Sequence, residues 1–192
     1  FPLKSGWGQL ETGWFPDAAK LEWPVRYTPT KGNPVDLPIL RKKWGSVVHA
    51  PWRDQYLLTE SYNNTSIMPE LWWLSKDGRT EAIAIPNTGY VSAMFFPVRP
   101  GVLMVGRWRP GEKYGLGAQS YLVGSNGSVG DMGRLGFQPY SISISPDGCR
   151  MAAIGARCIG TQFNRSADRA APNDIGCWTA HIIDFCQKGE TK

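Results

Sequence analysis

Four cysteines are the residues of this chain whose spacing most constrains its chemistry: Cys149, Cys158, Cys177 and Cys186. The apolar runs 150–157 and 177–185 read as neighbouring antiparallel strands. A ladder that sets residue 149 level with 186 also sets 158 level with 177, so both pairs fall on one register. We therefore expect two disulfides, Cys149–Cys186 and Cys158–Cys177. Positions nine residues apart alternate in face and in ladder type, so one of the bridges calls for a bulge. The rival arrangement, a four-thiolate zinc site, favours short Cys-x-x-Cys pairs, and the chain has none. Disulfides imply an oxidising compartment, hence a periplasmic or secreted protein. The first residues, FPLKSGWGQL, contain no apolar signal core and do not begin with Met, the expectation for a mature or truncated chain whose leader, if any, is gone.

Other chemistry is sparse. The two histidines, His49 and His181, fall inside predicted strands, where packing is a commoner role than proton transfer. No Gly-x-Ser-x-Gly elbow, His-Glu-x-x-His helix or phosphate-cradling loop is present. "GLGAQS" (115–120) mimics a dinucleotide fingerprint without a βαβ unit around it. With the thiols bridged, no cysteine nucleophile remains. The expectation is a protein that is not an enzyme and uses no cofactor or metal.

Binding is the remaining class. The net charge is +5 and the pI about 9.1, yet the only basic cluster is Arg41-Lys42-Lys43. A nucleic-acid binder concentrates its cations on a stripe, so the charge reads as a solvated basic surface suited to an acidic protein or an anionic envelope. Two connections have the composition of contact surfaces. "GRWRPGEKYGLG" (106–117) carries Arg107, Trp108, Arg109 and Tyr114, an aromatic-plus-Arg set typical of hot spots. "IGTQFNRSADRAAPNDIG" (159–176) carries Thr161, Gln162, Phe163, Asn164, Arg165, Ser166 and Arg169, on a loop whose base the Cys158–Cys177 bridge would staple. Stapling reduces the entropy lost on docking. The bland alternative is that both are ordinary inter-strand connections. Asn63, Asn64, Asn126 and Asn164 each open a glycosylation sequon in a predicted turn or loop, which in a bacterial protein means nothing.

The elements that must carry these loops are strands. The 22 Gly and 15 Pro favour turns over helices, and no apolar run approaches the length of a membrane span. Hairpin turns occur at "PVRPG" (97–101) and "SPDG" (145–148), with Gly101 and Gly148 47 residues apart. A second turn type, "LSKDG" (74–78) and "GSNG" (124–127), places Gly78 and Gly127 49 apart. Two turn types sharing a period predict recurring units. The first has strands near 46–51, 55–60, 70–75 and 79–85, the second near 91–97, 102–108, 118–123 and 128–135. The third has 140–145, 150–157 and 177–185 and lacks a fourth strand. Four strands every 45 to 50 residues is the pattern of a β-propeller blade, whereas a sandwich has turns without the longer period. The expected fold is all-β: one domain over 1–192, a propeller-like array of about three four-stranded antiparallel blades (45–88, 89–138 and 139–192), incomplete or open. Residues 1–44 form an N-terminal extended segment that supplies a partial blade or leaves the array open. Its stretch KLEWPVRYTP (20–29) suits an outer strand completing the third unit. Trp72 and Trp73, being adjacent, should point to opposite sides of their strand.

"SISISPDGCRMAAIG" resembles the strand-turn-strand of TolB-type propeller repeats, and "LSKDGRTEAI" is similar to the outer hairpin of such blades. The resemblance covers one unit well, the others by position, and implies architecture rather than activity. In size, compartment and architecture, not in motif, the chain resembles small periplasmic immunity proteins that neutralise peptidoglycan-hydrolase effectors of type VI secretion. The partner implied is a protein such as a secreted hydrolase, shielded by loop insertion; homo-oligomerisation is left open. The alternative is a fragment or subunit of a larger propeller enzyme or sensor.

Overall fold

The computed structural model describes residues 1–12, 18–60, 70–85, 92–108, 118–124, 128–135, 138–156 and 178–186. Among them the chain is all-β, built from four antiparallel meanders. Its contacts divide it into two compact units, Phe1–Ile85 and Pro86–Lys192.

The N-terminal unit holds two sheets. The first is β1 (Gly8–Glu11), β2 (Pro24–Pro29) and β3 (Val35–Leu40), in that order. The second is β4 (Trp44–Ala50), β5 (Gln55–Glu60), β6 (Leu71–Leu74) and β7 (Thr80–Ile83). Alternation decides which side chains meet: Val25 and Tyr27 of β2 and Leu37 and Ile39 of β3 point inward. They join Trp7, Leu10, Tyr56, Leu58, Trp72 and Leu74 in one core. Trp72 belongs to that core, while its neighbour Trp73, also buried, lies beneath the Arg53 guanidinium at 4.7 Å from the ring centroid. A cation over an indole face is the favoured geometry for such a contact.

One expectation for the N-terminal segment fails. Residues 24–29 are not an outer strand of the third unit. They are the middle strand of the first sheet, paired with β1 through Leu10↔Tyr27 and with β3 through Arg26↔Asp36. Two inward-facing large residues need neighbours on both sides, and the nearest strands in sequence provide them. Residues 1–44 thus supply a three-stranded sheet of their own.

The basic triplet divides: Arg41 is packed into the fold, while Lys42 and Lys43 remain exposed. Arg41 is buried, pairs with Glu11 at 3.1 Å and donates to the Pro24 carbonyl at 3.2 Å. Lys42 pairs with Glu22 at 2.7 Å and Lys43 with Glu60 at 3.5 Å. Each cation has its own carboxylate.

The C-terminal unit again holds two sheets. One is β8 (Ser92–Val98), β9 (Gly101–Trp108), β10 (Gln119–Gly124) and β11 (Val129–Arg134). The other is β12 (Gln138–Ile144), β13 (Arg150–Ala156) and β14 (Trp178–Asp184), so the predicted three-strand unit is observed. Val98, Leu103, Val105 and Ala118 pack with Met151 and Ala153 across the unit. The turns pair as their spacing implies: 97–101 and 145–148 each join the first and second strands of a sheet, and 74–78 and 124–127 each join the third and fourth. Gly101 shows why the residue is glycine: its φ is 156°, and a Cβ there would lie 2.0 Å from the Val123 carbonyl oxygen.

The disulfide Cys149–Cys186 is present, with its Cα atoms 5.1 Å apart. Its predicted register is corrected by one residue. The ladder pairs Arg150 with Asp184 and Ala156 with Trp178, so Cys149 is level with Phe185, whose N–H donates to the Cys149 carbonyl at 2.7 Å. Cys186 is reached one residue beyond the level pair. Its N–H donates to Asp184 Oδ1 at 3.0 Å, a local turn that swings the thiol back. Cys158 and Cys177 lie outside the described residues.

Candidate functional site

Two places in the fold bring functional groups together, one in each unit.

In the N-terminal unit, the hairpin between β4 and β5 turns at Pro51–Asp54, with Arg53 N–H donating to the Ala50 carbonyl at 3.1 Å. Asp54 closes it in the left-handed region, φ 48°, which an aspartate tolerates better than a branched residue. That conformation puts its carboxylate beside His49 of the same hairpin and Lys4 and Trp7 of the N-terminal segment. Lys4 forms an ion pair with it. His49 Nε2 stands 3.9 Å away, beyond hydrogen-bond reach, and has no other acceptor or donor among the described residues. The indole N–H of Trp7 is directed at the carboxylate but also falls short of a full hydrogen bond. The Lys4 hydrogen bond, with the Lys4 and Lys76 charges, holds the Asp54 carboxyl below the usual carboxylate range against partial burial. Burial, helped by the Lys4 charge, lowers the His49 pKa although Asp54 pulls the other way. His49 is therefore a neutral imidazole at pH 7. It packs at 4.8 Å from the Tyr56 ring and 6.5 Å from the Trp7 ring, the packing role expected for a strand histidine.

Beside this cluster is a groove of about 300 Å³ lined by Gly6, Trp7, Pro29, Thr30, Lys31 and Lys76. Three turns form it: the one before β1, the one between β2 and β3, and the one between β6 and β7. The Tyr27 hydroxyl ties two of them from below, within 2.9 Å of the Trp7 carbonyl and 3.0 Å of the Lys76 carbonyl. Burial raises the Tyr27 pKa, which keeps that hydroxyl a donor. Thr30 N–H donates to the Trp7 carbonyl at 2.8 Å and anchors the third. Sequence reasoning missed this groove, since its residues come from three separated segments and follow no motif.

In the C-terminal unit, the β8–β9 turn docks on the β12–β13 turn. Arg99 N–H donates to the Gly148 carbonyl at 2.8 Å and Arg99 Nε to the Asp147 carbonyl at 3.2 Å. The 145–148 turn is braced internally, with Ser145 Oγ donating to Asp147 at 2.5 Å and the Cys149 N–H donating to the same oxygen at 3.0 Å. These bonds hold the Asp147 pKa down. Strands β9 and β13 both start at this shared end, run away from it, and contribute Leu103, Val105, Met151 and Ala153 to one core. Their far ends, Trp108 and Ala156, therefore lie at the same end of the unit. From there the chain leaves into 109–117 and 157–177.

Of the residues expected to bind a partner, Arg107 and Trp108 close β9, with Trp108 opposite Ser92. Arg109, Tyr114, Thr161, Gln162, Phe163, Asn164, Arg165, Ser166 and Arg169 lie outside the described residues, as do the four sequon asparagines. His181 sits on β14 opposite Ala153. Near it the outward face of the last sheet is apolar: Ile154 is 46% exposed and Ile182 75%. Among the described residues, no three His, Cys, Asp or Glu side chains converge as a metal site, and no helix is long and apolar enough to cross a membrane.

No protein-family model matches the chain, and no curated protein matches it.

Proposed function

We propose that the protein is an exported, non-enzymatic binding module that shields or neutralises a partner protein by inserting the 159–176 connection, assisted by 106–117. The observation that supports this reading is the common origin of the two connections at one end of the C-terminal unit, opposite the braced turns. The pairing of Ala156 with Trp178 brings the two ends of the longer connection together. Cys158 follows Ala156 by two residues and Cys177 immediately precedes Trp178, where a second disulfide would close the loop's base. The Cys149–Cys186 bridge supports an oxidising compartment, periplasmic or extracellular. The antiparallel four-strand meanders support blades of an incomplete propeller-like array of the TolB type. In such an array loops gathered at one end form a single contact surface, the arrangement an inhibitor of a secreted hydrolase needs.

The test replaces 162–173 with a Gly-Ser linker and measures capture of proteins from the native source on the immobilised oxidised chain. If the loop holds the hot spot, the shortened protein keeps its fold and binds the captured partner at least a hundredfold more weakly, about 2.7 kcal/mol. Equal binding by the two forms refutes loop insertion.

A further inference from the structure

The groove in the N-terminal unit has a chemistry of its own. Its floor is apolar, formed by the buried Trp7 and Pro29, and its rim carries the exposed Gly6, Thr30, Lys31 and Lys76. Lys31 and Lys76 form no ion pair with a carboxylate among the described residues, in contrast to Lys4, Lys42 and Lys43, each of which has one. Two lysines without an ion-pair partner among the described residues at one concave site, on a chain of net charge +5, create a local positive potential. The walls are fixed in advance. Tyr27 bridges the Trp7 and Lys76 backbones, Thr30 is tied to Trp7, and Gly78 makes its turn at φ 89° against Val35. A pre-formed wall spends little ordering entropy when a ligand enters. Gly6, at φ 80°, leaves the space beside Lys76 open: a Cβ there would approach only the Lys76 Nζ, at 3.7 Å.

We infer that this groove binds a carboxylate carried on a short apolar stem, with Lys31 and Lys76 holding the anion and Trp7 and Pro29 receiving the methylenes. The apolar floor decides for a carboxylate on a stem over a free phosphate, which has no methylenes to place against Trp7 and Pro29. The volume, at the low end for ligand sites, admits one acidic side chain or a small free acid rather than a large ligand. The site belongs to the N-terminal unit and does not depend on the loops of the C-terminal one.

The experiment titrates the isotopically labelled full chain with three probes, followed by amide and indole chemical shifts: L-glutamate, an acetylated and amidated Gly-Glu-Gly tripeptide, and inorganic phosphate. The expected result is saturable shifts confined to Gly6, Trp7, Thr30, Lys31 and Lys76, with a dissociation constant on the order of 1 mM for glutamate. The Lys31→Gln/Lys76→Gln double variant should bind at least tenfold more weakly, while Lys42→Gln, a salt-bridged lysine elsewhere, should bind like the parent. Both variants change exposed side chains, and their dispersed spectra check that the fold is kept. A tripeptide bound at least tenfold more tightly than glutamate assigns the carboxylate to an acidic residue of a protein partner, and a smaller difference assigns it to a free acid. Absence of saturable shifts, an unchanged response in the double variant, or phosphate binding more tightly than either carboxylate overturns the inference.

Discussion

Asp54 is the residue whose protonation matters most to its neighbours, because Lys4, His49 and Trp7 all face it. The two titrating groups act in the same direction. Asp54 has a lowered pKa in the fold, so the unfolded chain takes up its proton first; its contribution is present above the unfolded value and is lost as pH falls through the folded one. His49, a base with a lowered pKa, is likewise protonated more readily when unfolded, so stability begins to fall below about pH 6.5. Urea midpoints measured from pH 7.5 to 5 should therefore decline for the parent, and the decline should flatten in His49→Gln; an unchanged slope would show that another group titrates. Arg41 offers a second residue-scale contrast. Its side chain is 5% exposed, whereas Lys42, next in sequence, is 41% exposed. Arg41→Ala leaves the Pro24 carbonyl and Glu11 without their donor and should cost about 2 kcal/mol. Lys42→Ala breaks only an exposed pair and should stay within about 0.5 kcal/mol. Chemical denaturation of the two variants separates the cases.

Among the elements, turns decide more than strands do. Gly101 and Gly133 both have positive φ, 156° and 80°, yet a Cβ at Gly101 would strike the Val123 carbonyl, while at Gly133 it would meet nothing within 4 Å. Gly133→Ala should cost only the left-handed strain, about 1 kcal/mol, and Gly101→Ala at least about twice that, since a strand backbone must also shift. Equal losses in thermal unfolding would refute the steric account. The strand positions themselves were legible from alternation: 55–60 matched to the residue, and the ends of most others moved by only a few positions. Register was less legible. The ladder 150–184 sits one residue away from the alignment that the cysteines imply, because the turn at Asp184 returns Cys186 to Cys149. Strand β1, four residues beginning at Gly8, carries too little alternation to announce itself. The second strand read as peripheral from its prolines, although Pro24 and Pro29 mark only its ends. The site around Asp54 was hidden for a different reason. His49 shares the β4–β5 hairpin with Asp54, but Lys4 and Trp7 reach it through tertiary packing across some 50 residues, as the Lys4–Asp54 separation shows, and no local pattern encodes that proximity.

For the molecule as a whole, each unit repeats one device: two meanders sharing one core, with Trp7, Tyr27, Tyr56 and Trp72 among the aliphatic residues of the first and aliphatic and Met side chains making up the buried residues of the second. The bridge Cys149–Cys186, spanning 37 residues, should stabilise the C-terminal unit by about 2–4 kcal/mol through the unfolded chain. Reduction should therefore lower the melting transition of that unit while leaving the Trp7–Tyr56 environment of the other unchanged. Near-ultraviolet circular dichroism and a Cys149→Ser/Cys186→Ser variant would check this; loss of both units together would mean that they unfold as one.

The placement of that bridge also determines how the hairpin answers to force. The connection 157–177 leaves β13 and β14 at the end opposite the disulfide. With the Cys158–Cys177 staple proposed for its base removed, tension across it would peel the two strands apart from Ala156↔Trp178 downwards, loading the ladder one rung at a time, the weakest way to strain a sheet. The peel would run through Arg150↔Asp184 and the Phe185-to-Cys149 bond and then stop at a covalent limit. A hairpin built this way gives slack of fixed length when its loop is pulled and rewinds when released. Optical-tweezer extension of a Cys158→Ser/Cys177→Ser variant, with handles flanking the connection, should show a short plateau ending abruptly when the Cys149–Cys186 bridge is oxidised, and a longer one that runs past that limit after reduction.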